Sequence, residues 1–319
     1  MEPVSPTANR ARSYGAFALR AGAGAAIIAV ILSRYDARPV LATMARERLS
    51  YFSLAVAIYV AGQAMSAYRW KVLADALGFD APYREMVAYY FVGMFTNLFV
   101  PGLVGGDAAR SLYLGRRHDR MGDAIASVVA DRGLGLLALF WLAGFAAAAL
   151  NRGVLPAVVT APAIAVAIIA AIAVAMSRAI GRIVWRLPRP LHRMAAIVTP
   201  YLSRPSTMIA PLALSLVLQF SLALCQYVLA RGLGMDVGLG IFVLVVPIAN
   251  VVASLPLTLN GLGVRETAYL VMLGMAGVRK EDSIALGLLW FAATMLGGLT
   301  GAIAFVLTRA PSTRRRPSE

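Results

Sequence analysis

Cysteine, histidine and charge are all scarce in this sequence. Its 319 residues include one cysteine, Cys225, and two histidines, His118 and His192. A single cysteine excludes an intramolecular disulfide, and its place inside an apolar run predicts a small buried side chain. Both histidines fall in arginine-rich loops without cysteine or histidine partners at ligand spacing, so no metal site is expected. Charged residues make up 14% of the chain, hydrophobic residues make up 60%, and the mean hydropathy is +0.74. A soluble domain carries about 25% charged and about 45–50% apolar residues, and its large surface leaves no room to hide this much apolar material. An ordinary soluble enzyme, a disordered chain and a collagen-like chain are therefore excluded. The sequence also lacks a Gly-x-x-x-x-Gly-Lys-Ser/Thr loop for nucleotide phosphates, an Asp-x-Asp metal pair and a convincing nucleophile with its base. No cofactor and no enzymatic activity are expected.

Acidic residues are few as well. Fifteen aspartates and glutamates face thirty lysines and arginines, giving a net charge of +15 and a pI near 10.7. In a soluble protein that excess would suggest nucleic acid. In an apolar chain it reads instead as arginine-rich loops that set topology and lie against anionic lipid, so no nucleic-acid partner is expected.

What is present is a series of apolar runs. A span needs about 20 such residues. Runs cover residues 14–33, 51–67, 125–150, 154–176, 208–230 and 283–307. The first follows Arg10 and Arg12 and is interrupted by Arg20; its length and the many runs after it favour an uncleaved helix over a signal peptide. The second ends at Tyr68-Arg69-Trp70-Lys71, which reads as an aromatic and basic interface anchor. The last carries Gly297 and Gly301 at the spacing of close helix packing. Two further runs are interrupted. Residues 86–100 break at Pro101-Gly102 and continue through Gly105-Gly106-Asp107 to Arg110; their length leaves both a span and a re-entrant segment open. Residues 241–256 break at Leu257-Thr258-Leu259-Asn260-Gly261-Leu262-Gly263 and resume through Arg265-Glu266 as 267–276.

The expected fold is an all-α polytopic membrane bundle of about 7–8 spans, with two broken or re-entrant helices in a weak inverted repeat. The expected layout is a polar tail over 1–13, one membrane domain over 14–309 with pseudo-halves near 14–177 and 205–309, and a basic cytoplasmic tail over 310–319. The arginine-rich 178–204 loop is expected on the same side as that tail.

The breaks are the informative part. Proline removes a backbone donor, glycine frees the backbone angles, and non-helical backbone at membrane depth persists only where protein or water covers it. Broken helices in corresponding halves point to a transporter site. The charges sharpen this reading. Asp107 and Arg110 share a helix face, and Asp131-Arg132 and Arg265-Glu266 lie in or beside apolar runs. Each ionisable residue at the bilayer centre costs roughly 2.5–3.5 kcal/mol, so these groups need mutual pairing, a wet cavity or both. In a cavity, Arg110, Arg132 and Arg265 suit a phosphate, and Asp107, Asp131 and Glu266 suit an amine or a proton.

Several stretches resemble the transmembrane domain of lysylphosphatidylglycerol synthases. They are Tyr68-Arg69-Trp70-Lys71-Val72-Leu73, Asn97 through Pro101, Gly105-Gly106-Asp107-Ala108-Ala109-Arg110, Asp131-Arg132-Gly133 and Gly261-Leu262-Gly263-Val264-Arg265-Glu266. The third and fifth, in this order, carry most of the specificity. The resemblance extends over nearly the whole chain. It implies a flippase-like domain in the cell membrane, of a family that includes hopanoid-associated and archaeal glycolipid-pathway members. The aminoacyl-transferase domain of the full synthases is not expected after Glu319, so lysyl transfer is not either. The implied partner is a membrane lipid of the anionic phospholipid, glycolipid or hopanoid class, with a lipid-synthesis enzyme as a further expected partner. The implied site comprises Asn97, Gly105, Gly106, Asp107, Arg110, Asp131, Arg132, Asn260, Gly261, Gly263, Arg265 and Glu266. A lipid-modifying transferase and a non-transporting scaffold of a lipid-synthesis complex remain as alternatives.

Overall fold

In lipid a backbone must satisfy its own hydrogen bonds, and a helix does so within one segment. The computed structural model describes residues 37–99, 104–176, 201, 206–254 and 264–308, and these residues contain helices and no strand. In chain order the helices are α1 (Ala37–Met44), α2 (Leu49–Ala76), α3 (Tyr83–Phe99), α4 (Val104–His118), α5 (Met121–Ala149), α6 (Ala157–Ala175), α7 (Ser206–Gly232), α8 (Leu239–Ser254), α9 (Val264–Met275) and α10 (Lys280–Leu307). Among the described residues, five segments are long and apolar enough to cross a membrane: Leu49–Ala76, Met121–Ala149, Ala157–Ala175, Met208–Gly232 and Lys280–Leu307. The polytopic helical bundle expected from composition is therefore what the chain forms. The run over 14–33 and the arginines of the C-terminal tail lie outside the described residues.

The short helices pair as two hairpins. At the open end of α3–α4, Arg117 pairs with Glu85 at 2.7 Å, and Tyr89 stacks on Tyr113. The same face holds the end of α2 and the start of α5. The Arg120 guanidinium, just before α5, donates to the carbonyls of Leu77 (2.8 Å) and Gly78 (3.1 Å), just after α2. Gly78 supplies the left-handed backbone (φ 80°) that ends α2. Helices α8 and α9 pack together in the same way but open toward the other face. A four-residue turn joins α9 to α10, and α10 runs antiparallel to α3: Gly298 meets Leu98, while Gly301, further along, meets Phe91 and Phe95. The two hairpins thus enter the bundle from opposite faces, the arrangement of an inverted repeat.

Two close contacts at glycines set the helix spacing. A Cβ on Gly301 would overlap the Phe91 carbonyl oxygen, so α10 and α3 touch backbone to backbone, as the Gly297/Gly301 spacing predicts. Gly93 of α3 and Gly106 of α4 face each other just as closely: a Cβ on Gly93 would sit 2.8 Å from the Gly106 oxygen. The pair Gly105-Gly106 is helical, since α4 begins at Val104. The glycines let α4 approach α3.

Cys225 is buried, as its apolar setting predicts. Helix α2 differs from expectation. It continues to Ala76, well past residue 67, because Arg69 turns inward and finds partners. Arg69 and Trp70 are buried, so Arg69 is not an interface anchor; Lys71, two residues on and on the other side of the helix, pairs with Asp75 near the surface.

Candidate functional site

Asp131, in the first half of α5, is 1% exposed. Its two oxygens are each taken by a guanidinium. Arg69 Nε of α2 donates to Oδ1 at 2.8 Å, and Arg110 Nη1 of α4 donates to Oδ2 at 2.9 Å. Arg69 also donates through Nη1 to the Ser215 hydroxyl of α7 at 2.9 Å, and the Ser215 hydroxyl donates in turn to the Pro211 carbonyl. One carboxylate therefore ties together four helices. Gly135, one turn beyond Asp131, faces the Arg69 guanidinium.

The chain of charge continues outward. Arg110 reaches Asp107, one turn earlier in α4, at 2.9 Å. Arg132 of α5 grips the same carboxylate with two donors, Nε at 2.7 Å and Nη2 at 3.0 Å. Exposure rises along this series from the buried Asp131 and Arg110 to the Arg132 side chain, which is 43% exposed. Three guanidiniums against two carboxylates leave one net positive charge, and the exposed arginine is where an anion can meet it. Aromatic faces line the inner part. The Arg110 guanidinium lies 5.1 Å from the ring centres of both Trp70 and Tyr90, a cation–π geometry. Trp70 is held in turn by a 3.0 Å bond to Ser127.

The network is sunk below the face that carries Glu85, Arg117 and Arg120. At about 1.5 Å per residue, Arg69 lies about 10 Å from the Ala76 end of α2, Arg110 about 12 Å from the His118 end of α4 and Asp131 about 15 Å from the Met121 end of α5. It therefore sits in the half of the bundle nearer that face and not at mid-depth.

Of the residues predicted for the site, the structure brings seven together. Asp107, Arg110, Asp131 and Arg132 form the network; Asn97, Gly105 and Gly106 surround the adjoining α3–α4 contact, where the Gly106 amide donates to Asn97 Oδ1 at 2.6 Å. Gly105 takes part only as a first-turn residue of α4. Asn97 accepts from one of the free amides that open α4, so Asn97→Ala is expected to cost about 1–2 kcal/mol, measurable as a lower unfolding midpoint in detergent. Asn260, Gly261, Gly263 and the Glu266 side chain lie outside the described residues. Arg265 opens α9, on the second hairpin. Arg69 is the site residue that sequence reasoning missed. Its signal was the apolar residues that continue beyond it, Val72, Leu73 and Ala74.

The family assignment agrees with this architecture. Residues 16–301 match the family described as the lysylphosphatidylglycerol synthase TM region. The chain belongs to that family. A further similarity is to a UPF0104 membrane protein of Methanothermobacter thermautotrophicus, 24% identical over 264 residues, covering 74% of this chain and 78% of that protein. The match to the lysylphosphatidylglycerol synthase TM region takes in both hairpins and every residue of the charged network. This member of the family is thus an integral membrane protein whose described part is the helical bundle.

Proposed function

We propose that this protein binds the anionic headgroup of a membrane lipid at Arg132 and moves that lipid between leaflets. The observation that carries the reading is the graded ionic chain from a buried carboxylate to a half-exposed arginine within a membrane-spanning helix. An arginine exposed at that depth is costly unless an anion or water meets it. Its planar fork suits the paired oxygens of a phosphate, and the Asp107 carboxylate that holds it can be exchanged for such a phosphate without disturbing Asp131. The substrate class is an anionic phospholipid or a comparable phosphate-bearing glycolipid or hopanoid. We take the face bearing Arg84, Arg116, Arg117 and Arg120 as cytoplasmic, a reading that rests on the arginine-rich 178–204 stretch and C-terminal tail of the sequence. The sequence carries no nucleotide-phosphate loop, so movement is downhill or ion-coupled. Shuttling a proton at Asp131 would break two ion pairs, which makes the outer carboxylate, Asp107, the better carrier.

Leaflet exchange of labelled phosphatidylglycerol in proteoliposomes tests this. Arg132→Ala is expected to fold normally and to slow exchange at least tenfold, with Arg132→Lys intermediate because it keeps the charge and loses the fork. Exchange by Arg132→Ala at the wild-type rate, for every lipid that the wild type moves, removes the site.

A second reading rests on the inner half of the same network. Both Asp131 oxygens are already satisfied by protein, which is what a purely structural lock in a scaffold needs. That reading predicts that Arg132→Ala leaves lipid movement untouched and instead weakens capture of a lipid-synthesis enzyme.

A further inference from the structure

On the face opposite the network, the connection between α1 and α2 carries Glu47. Its side chain is half-buried, and neither carboxylate oxygen has a hydrogen-bond partner among the described residues. The carboxylate lies against Gly232, the last residue of α7, so closely that any Cβ there would collide with both oxygens. A side chain at this position would have to turn the Glu47 carboxylate out of its place. The end of α7 is also the wrong place for an anion, because the last carbonyls of a helix present the negative end of its dipole. The charged groups on the surrounding elements do not compensate. Arg46 and Arg48 flank Glu47 on its own connection without bonding it. At the end of α7, Arg231 is turned to Asp236. At the start of α10, Arg279 is turned to Asp282, with Lys280 and Glu281 beside them; Arg38 lies on α1.

We propose that Glu47 is a proton-binding site: neutral, it docks the α1–α2 connection into the Gly232 cradle at the end of α7, and on losing its proton it leaves. Burial alone pushes the Glu47 carboxyl up to about 7, so the change falls near neutrality. An acid that favours its neutral form in the folded state adds stability at low pH, and that stability is lost as pH rises through about 7. The device lies on the opposite face from Arg132 and is independent of whether lipid binds there.

Thermal unfolding of the full chain in detergent, followed between pH 5 and pH 8, tests it. Glu47→Gln keeps the shape and removes the titration. Its midpoint is expected to match wild type at pH 5 and to exceed it by several degrees at pH 8. Gly232→Ala fills the cradle, so its midpoint is expected to drop below wild type at pH 5 and to approach it at pH 8. A midpoint difference between Glu47→Gln and wild type that stays constant from pH 5 to pH 8 overturns the proposal, as does a Gly232→Ala penalty that is the same at both pH values.

Discussion

Asp131→Ala is expected to be the most damaging single substitution in the described part of the protein. It strands two buried guanidiniums, Arg69 and Arg110, which are 8% and 4% exposed at the side chain. Removing one partner of a buried ion pair typically costs ~3–5 kcal/mol, because an uncompensated charge stays behind. Here one deletion orphans two charges, so the loss is expected at the upper end of that range. Asp131→Asn should be nearly as severe, since an amide keeps the size but supplies only one acceptor oxygen. The measurement is the folded yield and the unfolding midpoint in detergent. The contrast is instructive: replacing Arg69, Asp131 and Arg110 together by apolar residues of similar volume removes all of the buried charge, and should restore much of the stability that Asp131→Ala loses. Recovered stability without recovered lipid exchange would separate what the network does for the fold from what it does for transport. Wild-type stability in Asp131→Ala would mean that the two arginines are not buried as described.

The second large effect is steric. Gly301→Leu is expected to push α10 away from α3, because even a Cβ at that position overlaps the Phe91 carbonyl oxygen and lies 3.0 Å from the Phe95 Cβ. A backbone carbonyl cannot rotate aside as a side chain can. Overpacking in a dense interior costs ~1–3 kcal/mol and occasionally more, and here the neighbour that must move is a half-length helix of the α3–α4 hairpin. The hairpin carries Arg110 and Asp107 on its second arm, so displacement of α3 reaches the network. Gly301→Ala should show the same defect in milder form, and Gly240→Ala, where nothing lies within 4 Å, serves as the control. The readout is the unfolding midpoint together with protease sensitivity at the α2–α3 connection.

The fold class was legible because lipid imposes one solution on an apolar chain. Span limits were less so, and for a single physical reason. A hydropathy reading stops at charge, whereas a helix continues wherever that charge finds a partner. Helix α5 was read correctly through Asp131-Arg132, since long apolar stretches flank the pair on both sides. Helix α2 was cut short at Arg69, because Trp70 and Lys71 beside it look like an interface belt. Residues two apart on a helix point to nearly opposite sides, so one arginine could enter the bundle while its neighbouring lysine stayed at the surface. The partnership of Asp107 with Arg110 follows from spacing alone. Its extension to Asp131 and Arg132 does not, because it depends on how the α3–α4 hairpin docks on α5. The glycine pair at 105–106 was legible as important but not as helical: the sequence shows that the backbone is free there, and only the facing Gly93 shows that the freedom is spent on close approach. Glu47 gave no sequence signal, since a glutamate between two arginines reads as a solvated loop.

The most direct test of the account is an experimental structure of the protein in a phosphatidylglycerol-containing nanodisc. The account predicts a lipid phosphate within hydrogen-bonding distance of the Arg132 guanidinium, below the headgroup plane of the surrounding bilayer, with Asp131 still held between Arg69 and Arg110. Acyl chains alone packed over Arg132, with all phosphates at the level of Arg117 and Arg120, would contradict it.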